Sequence, residues 1–125
     1  MTPNPVVWFE ICVRDMNKAR SFYEAVLGGK LEKLDSPDPD IEMMAFPMQR
    51  DSGGAAGALA RIKDAPSGAG GTIVYFRCED CAVEAGRVDG NGGKVMKSKF
   101  PIGAHGFIAL AADPEGNMFG LHSMH

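Results

Sequence analysis

The sequence predicts an α+β fold built from two βαβββ modules, whose strands make a curved, half-open eight-stranded sheet. Three observations predict it. A shift of 64 positions carries Gly28-Gly29-Lys30 onto Gly92-Gly93-Lys94 and Lys33 onto Lys97 without a gap. A strand-like apolar run opens each copy, at Trp8 and at Thr72. Each run is followed by an acidic residue, a segment of helical length, the glycine pair and a second strand-like run. An internal repeat is weighed first because it constrains the whole architecture.

The elements follow in chain order. Val6 to Val13 is apolar and β-rich, with one acidic residue, Glu10, and reads as a buried strand. Asp15 is a suitable N-cap. Met16, Ala19, Phe22, Tyr23, Val26 and Leu27 then recur at spacings of three and four, which predicts one inward helical face. Gly28 and Gly29 stand where a left-handed cap would stop that helix. Lys30 to Leu34 reads as a short strand, residues 35–40 as a turn, Ile41 to Phe46 as a third strand, residues 51–54 as a turn and Ala56 to Ile62 as a fourth strand. The Gly- and Pro-rich stretch of 64–70 is a linker between module one, about 5–63, and module two, about 71–123.

The second module repeats the order. Thr72 to Cys78 is a strand, and Glu79 or Asp80 opens a helix with Ala82, Ala85 and Val88 inward. Gly86 weakens that helix by about 1 kcal/mol relative to alanine, and Gly92-Gly93 ends it. Val95 to Lys99, Phe107 to Ala111 and Met118 to His122 are strands, the last two joined by the turn Asp113-Pro-Glu-Gly-Asn117. One helix cannot cover both faces of a module's sheet. The other face is expected to bury against another module or to hold a ligand.

Composition narrows the function classes. A length of 125 residues suits one domain, 1–125, with a core of its own. The net charge of −3 and the lack of a basic cluster argue against nucleic acid. No apolar run approaches membrane-spanning length. The start, Met-Thr-Pro-Asn-Pro, has neither a charged n-region nor an apolar h-region, so the expected location is the cytoplasm. Three cysteines in that setting predict reduced thiols.

Several residues together carry a resemblance. They are Phe9-Glu10-Ile11, Asp15, Ala19, Phe22-Tyr23-Glu24, Val26-Leu27-Gly28, Gly92-Gly93-Lys94-Val95 and Asp113-Pro114-Glu115-Gly116-Asn117. Over almost the full chain the sequence resembles the vicinal oxygen chelate superfamily, which includes glyoxalase I, extradiol dioxygenases and the bleomycin- and fosfomycin-resistance proteins. The resemblance implies the glyoxalase/bleomycin resistance/dihydroxybiphenyl dioxygenase fold and a homodimer. It also implies metal ligands, drawn from His, Glu and Gln, on the first and fourth strands of each module. Counting seven residues back from Asp15 puts the first ligand position at Trp8, and the repeat puts the third at Thr72. The fourth falls at Gly120, four residues after Gly116, and the second near Gly57, since Gly57-Ala-Leu is similar to Gly120-Leu-His. None of these four is a donor suited to a divalent metal. No cofactor is therefore expected.

Glu10 and His122 are the best catalytic candidates, because strand alternation puts Glu10 and Cys12 on the face of Trp8 and His122 on that of Gly120. The expected ligand-binding set is Trp8, Glu10, Thr72, Phe76, Phe100, Phe107, Gly120 and His122. The leading expectation is a protein that binds a small, partly apolar molecule without the usual metal, in a resistance or detoxification role. The alternatives are a glyoxalase-like lyase or isomerase with a divalent metal displaced onto Glu10 and His122, and an interaction subunit with a vestigial pocket. Cys78-Glu-Asp-Cys81 lies at a strand-to-helix junction and admits a redox reading beside the plainer one of packed small side chains. His105, in Gly103-Ala-His-Gly106, is either a substrate contact or an exposed loop residue.

Overall fold

The computed structural model describes residues 4–36, 38–49 and 53–125. Pro37, in the predicted 35–40 turn, lies outside the described residues, as do Asp51 and Ser52 in the predicted 51–54 turn. The chain runs β1 Val6–Cys12, α1 Met16–Leu27, β2 Glu32–Leu34, β3 Ile41–Ala45, β4 Ala56–Ile62, β5 Thr72–Arg77, α2 Cys81–Ala85, β6 Lys94–Pro101, β7 Phe107–Ala112 and β8 Met118–Ser123. Each half is thus strand, helix, strand, strand, strand, as the repeat predicts. Two compact units result. One is Trp8–Thr72, and the other is Ile73–His125 together with the start of β1, Val6 and Val7.

In the first unit β2 pairs with β3 and β3 with β4, both antiparallel, while β4 runs parallel to β1. Alternation along β1 sorts its side chains. Ile11 and Val13 pack with Met16, Ala19, Tyr23, Leu31, Met44, Phe46 and Leu59 in a core beneath α1. Phe9 joins that side, its ring centroid 5.7 Å from that of Phe46. Trp8, Glu10 and Cys12 therefore take the opposite face, beside their register partners Ala56, Ala58 and Ala60.

Helix α1 begins where expected. The Asp15 carboxylate accepts from the Lys18 backbone N–H at 3.0 Å, and Gly28, at φ 78°, donates its N–H to the Glu24 carbonyl. Its inward face is narrower than predicted. Met16, Ala19 and Tyr23 pack on the core, but Phe22, Val26 and Leu27 are 59%, 63% and 65% exposed. At 3.6 residues per turn Met16, Ala19 and Tyr23 share an arc of roughly 60°. Phe22 and Val26 lie to one side of that arc, and Leu27 is in the last turn.

In the second unit β5 runs parallel to β8, and β8–β7 and β7–β6 are antiparallel. Cys78, Cys81, Ala85, Ala109 and Leu121 form the core beneath α2, with Phe76, Phe107 and Phe119 against it. Helix α2 is much shorter than the predicted segment. It stops at Gly86, and a 3-10 turn at Asp89–Asn91 fills the rest before Gly92 at φ 90°. A glycine within a helix costs roughly 0.5–1 kcal/mol relative to alanine, which disfavours continuing through Gly86. Cys81 and Ala85 are its buried residues, Ala82 is exposed and Val88 half-buried.

The repeat is offset by one residue at the helix caps. Asp80 caps α2 by accepting from the Ala82 N–H, 65 positions after Asp15, whereas the left-handed glycines Gly28 and Gly92 differ by 64. Because side chains alternate with period two, that single residue reverses faces. Phe76 packs under α2 as Ile11 packs under α1, so the positional counterpart of Trp8 is Ile73, not Thr72.

Candidate functional site

In the first unit the side of the sheet away from α1 carries Trp8 and Glu10. The indole Nε1–H of Trp8 donates to Glu10 Oε2 at 3.1 Å. The bond joins two residues on one face of one strand and holds the carboxylate against the ring. Cys12, next on this face, is buried, and burial followed by the nearby Glu10 charge pushes its thiol up. Two shallow grooves lie elsewhere in this unit. One of about 490 Å³ runs along Val13, Arg14 and residues 61–66, and one of about 290 Å³ runs from Lys33 to Met43 with Arg61. Neither is lined by Trp8 or Glu10.

In the second unit the side away from α2 carries Tyr75, Arg77, Ile108, Leu110, Gly120 and His122. Register fixes this, since Tyr75 faces Gly120, Arg77 faces His122, and His122 and Gly120 face Ile108 and Leu110. Phe100, the partner of Ile108, joins them, with the Lys97 ammonium 3.9 Å from its ring centroid. Sequence reasoning missed Tyr75 and Arg77. The slipped repeat puts Thr72 and Phe76 on that face instead.

The expected ligand-binding residues thus divide. Phe100, Gly120 and His122 come together in the second unit, and Trp8 and Glu10 in the first. Phe76 and Phe107 pack beneath α2, where the Lys99 ammonium sits 4.7 Å from the Phe107 ring centroid and 2.8 Å from Asp80 Oδ1. Thr72, at the start of β5, is exposed.

The four positions at which the resemblance places metal ligands do not fit a divalent ion. Trp8 has only an N–H to offer, already given to Glu10. Thr72 has a lone hydroxyl, and Ile73, the positional counterpart of Trp8, has no donor at all. Gly57 and Gly120 have no side chain, and a Cβ on either would run into a ring, that of Phe9 at Gly57 and that of Tyr75 at Gly120. Among the described residues no three of His, Cys, Asp and Glu are grouped so as to hold a metal.

His122 Nε2 lies 2.6 Å from the backbone carbonyl oxygen of His105. The turn that brings this carbonyl forward is the 3-10 turn Gly103–His105, with Gly103 at φ 72° and Gly106 at φ 96°. Gly106 is required twice over, by its positive φ and because a Cβ there would strike the Ser123 carbonyl oxygen.

The Cys78-x-x-Cys81 spacing forms no reactive pair. Both thiols are free and buried. Burial first, and the Glu84 carboxylate second, push Cys78 up to about 12. Cys81 is wholly enclosed, and its backbone N–H donates to Ser123 Oγ at 3.0 Å. The plainer reading, small side chains in a core, is the one the structure bears out.

Comparison with known proteins bears on fold and family. A search of curated proteins finds no match. Among solved structures, a single-substitution variant of Streptomyces coelicolor methylmalonyl-CoA epimerase, in complex with 2-nitronate-propionyl-CoA, superposes with a TM-score of 0.66 at 16% identity, covering 96% of this chain and 94% of that one. Methylmalonyl-CoA epimerase from Mycobacterium tuberculosis gives 0.66 at 18% identity, over 94% of this chain and 85% of that one. A hypothetical protein from Bacillus halodurans gives 0.68 at 15% identity, over 93% and 91%. At such identities the likeness is one of fold. The family model reaches further, matching residues 6–121, and the chain belongs to the Glyoxalase/Bleomycin resistance protein/Dioxygenase superfamily.

Proposed function

We propose that this protein binds a small, partly apolar molecule on the sheet faces turned away from its helices, without the divalent metal usual in its superfamily, in a resistance or detoxification role. The observation that carries the reading is the chemistry of the family ligand positions on these faces, Trp8, its counterpart Ile73, and Gly120, none of which bears a metal donor, with Gly120 closed over by the ring of Tyr75. What these faces offer instead is aromatic surface, from Trp8 and Phe100, beside a few polar groups, Glu10, Arg77 and His122. That mixture suits a flat ligand with a polar edge. A single-domain homodimer in the cytoplasm belongs to the same proposal and rests on the resemblance.

The Trp8–Glu10 bond favours one second reading, acid–base catalysis of the lyase or isomerase type. A carboxylate held by an N–H donor stays oriented for proton transfer. Because two of the fold neighbours are epimerases, one of them bound to a CoA derivative, acyl-CoA thioesters belong in the ligand panel.

Two measurements decide. Metal analysis of protein purified without a nickel column should find no stoichiometric zinc, nickel or iron. Bound metal that disappears in Glu10→Ala and His122→Ala would overturn the proposal in favour of a displaced metal centre. A thermal-shift screen should find compounds that raise the melting temperature, since a ligand of the folded state stabilises it by RT ln(1 + [L]/Kd). A flat response across a broad library would favour an interaction subunit.

A further inference from the structure

We infer that the turn Gly103–Gly106 fixes the tautomer of His122, so that its Nδ1 is a standing hydrogen-bond acceptor, and that the second unit's ligand is an anion carrying an O–H or N–H donor. The inference rests on the binding role proposed above and specifies its chemistry. A backbone carbonyl can only accept, so at 2.6 Å from the His105 oxygen the neutral ring must carry its proton on Nε2. Nδ1 then holds the lone pair, and no described residue donates to it.

The setting of His122 supplies the rest of the ligand's description. Its register partner on β5 is Arg77, on the same face, and on β7 it is Ile108, whose own partner is Phe100. Neighbouring strands lie about 4.8 Å apart, so the Arg77 cation and the His122 acceptor lie within the span of one small molecule, with the Phe100 ring two strands beyond His122. Arg77 is exposed, and no described side chain engages its guanidinium. An anionic group is the natural partner for it. Gly120, two residues before His122 on the same face, leaves Tyr75 lying flat on the strand instead of projecting, so the floor beside His122 stays low.

The turn is built for this contact. Gly106 donates its N–H to the Gly103 carbonyl and accepts at its own carbonyl from Ile102, which ties both ends of the turn. The histidine in Gly103-Ala-His-Gly106 therefore acts through its backbone oxygen, and His105 itself is exposed.

The test combines 15N NMR of the imidazoles in ligand-free protein with titration of 3-hydroxybenzoate, benzoate and phenol. The expected result is an Nε2–H tautomer for His122, with 3-hydroxybenzoate bound about tenfold more tightly than benzoate and about tenfold more weakly by His122→Phe or Arg77→Gln. A ligand-free His122 protonated on Nδ1, or averaging between tautomers, would overturn the inference even if ligands bind. The expected tautomer with equal binding of benzoate and 3-hydroxybenzoate would overturn the donor requirement and leave the binding role standing. The expected tautomer with no binding by any compound would overturn the ligand class assigned to this face, and a flat thermal-shift screen beside it would overturn the binding role as well.

Discussion

The ring of Tyr75 lies on Gly120, so close that the Cδ2 and Cε2 atoms occupy the space a Cβ would need. The two residues are register partners on the parallel strands β5 and β8. In the first unit Phe9 and Gly57 stand in the same relation on β1 and β4. The faces differ, however. Phe9 covers its glycine on the helix side, while Tyr75 covers its glycine on the side away from the helix.

Gly120→Ala should therefore destabilise the protein by about 1–3 kcal/mol, the usual cost of overpacking a closed site. Tyr75 must leave its rotamer to admit the methyl group. Relieving the clash with the double variant Gly120→Ala/Tyr75→Ala should give a loss smaller than the sum of the two single losses, because residues in contact couple. Denaturant unfolding of the four proteins reads this directly. Additive losses would mean that the ring and the glycine do not constrain each other.

Helix α1 gives a contrast in exposure between adjacent aromatics. Phe22 is 59% exposed, whereas Tyr23 packs on the core with its ring centroid 5.5 Å from that of Phe46. Phe22→Ser should change unfolding free energy by no more than about 1 kcal/mol, the worth of its edge contact with the Tyr23 ring. Tyr23→Ala should cost about 3 kcal/mol, because its half-buried ring packs on the core. Similar losses for the two would show that Phe22 is covered in solution.

The cysteines should be poorly reactive. With Cys78 pushed up to about 12, thiolate at pH 8 amounts to about one molecule in ten thousand by the difference between those values. Iodoacetamide should modify native protein on the order of a hundredfold or more slowly than denatured protein, in which thiols return to their ordinary range. Mass spectrometry under oxidant should show no Cys78–Cys81 bridge until the chain unfolds. A fast native reaction at Cys78 would restore the redox reading of the motif.

Element order was legible in the sequence because it depends on local chemistry. Asp15 and Asp80 are caps, Gly28 and Gly92 take positive φ, and apolar runs between them have strand length. Strand ends shift by only a residue or two, as at β6, which runs to Pro101 where Lys99 was expected. The candidate site was less legible, because a face depends on parity and one residue inverts it. Glycines matching at 64 positions hid caps matching at 65, and the error carried Thr72 and Phe76 onto the wrong side. Phe107 was misplaced for a related reason. Its face is set by pairing with Ser123 on β8, a long-range register that composition does not reveal. The apolar spacing in α1 misled in another way, since positions at helical spacing pack only where there is a sheet beneath them.

Acid should destabilise the protein through three carboxylates whose folded environments hold them below the ordinary range. Asp113 is lowered first by Asn117, whose Nδ2–H₂ and backbone N–H both donate to it, with further help from the Glu115 N–H. Asp80 is lowered first by the Lys99 ammonium, and Glu24 first by the Leu31 backbone N–H and then by Arg20. A carboxylate with a depressed folded pKa binds fewer protons in the folded chain than in the unfolded one. Its contribution is therefore present above the unfolded value, about 4, and is lost as pH falls through the folded value. Melting temperature should hold from pH 7 to about 5 and decline below about 4. Asp113→Asn removes one of the three titrations while keeping an acceptor in the turn, so it should lower stability at pH 7 yet flatten the acid decline. Parallel curves for the variant and the parent would show that the Asp113-Pro-Glu-Gly-Asn117 turn draws its stability from shape and not from charge.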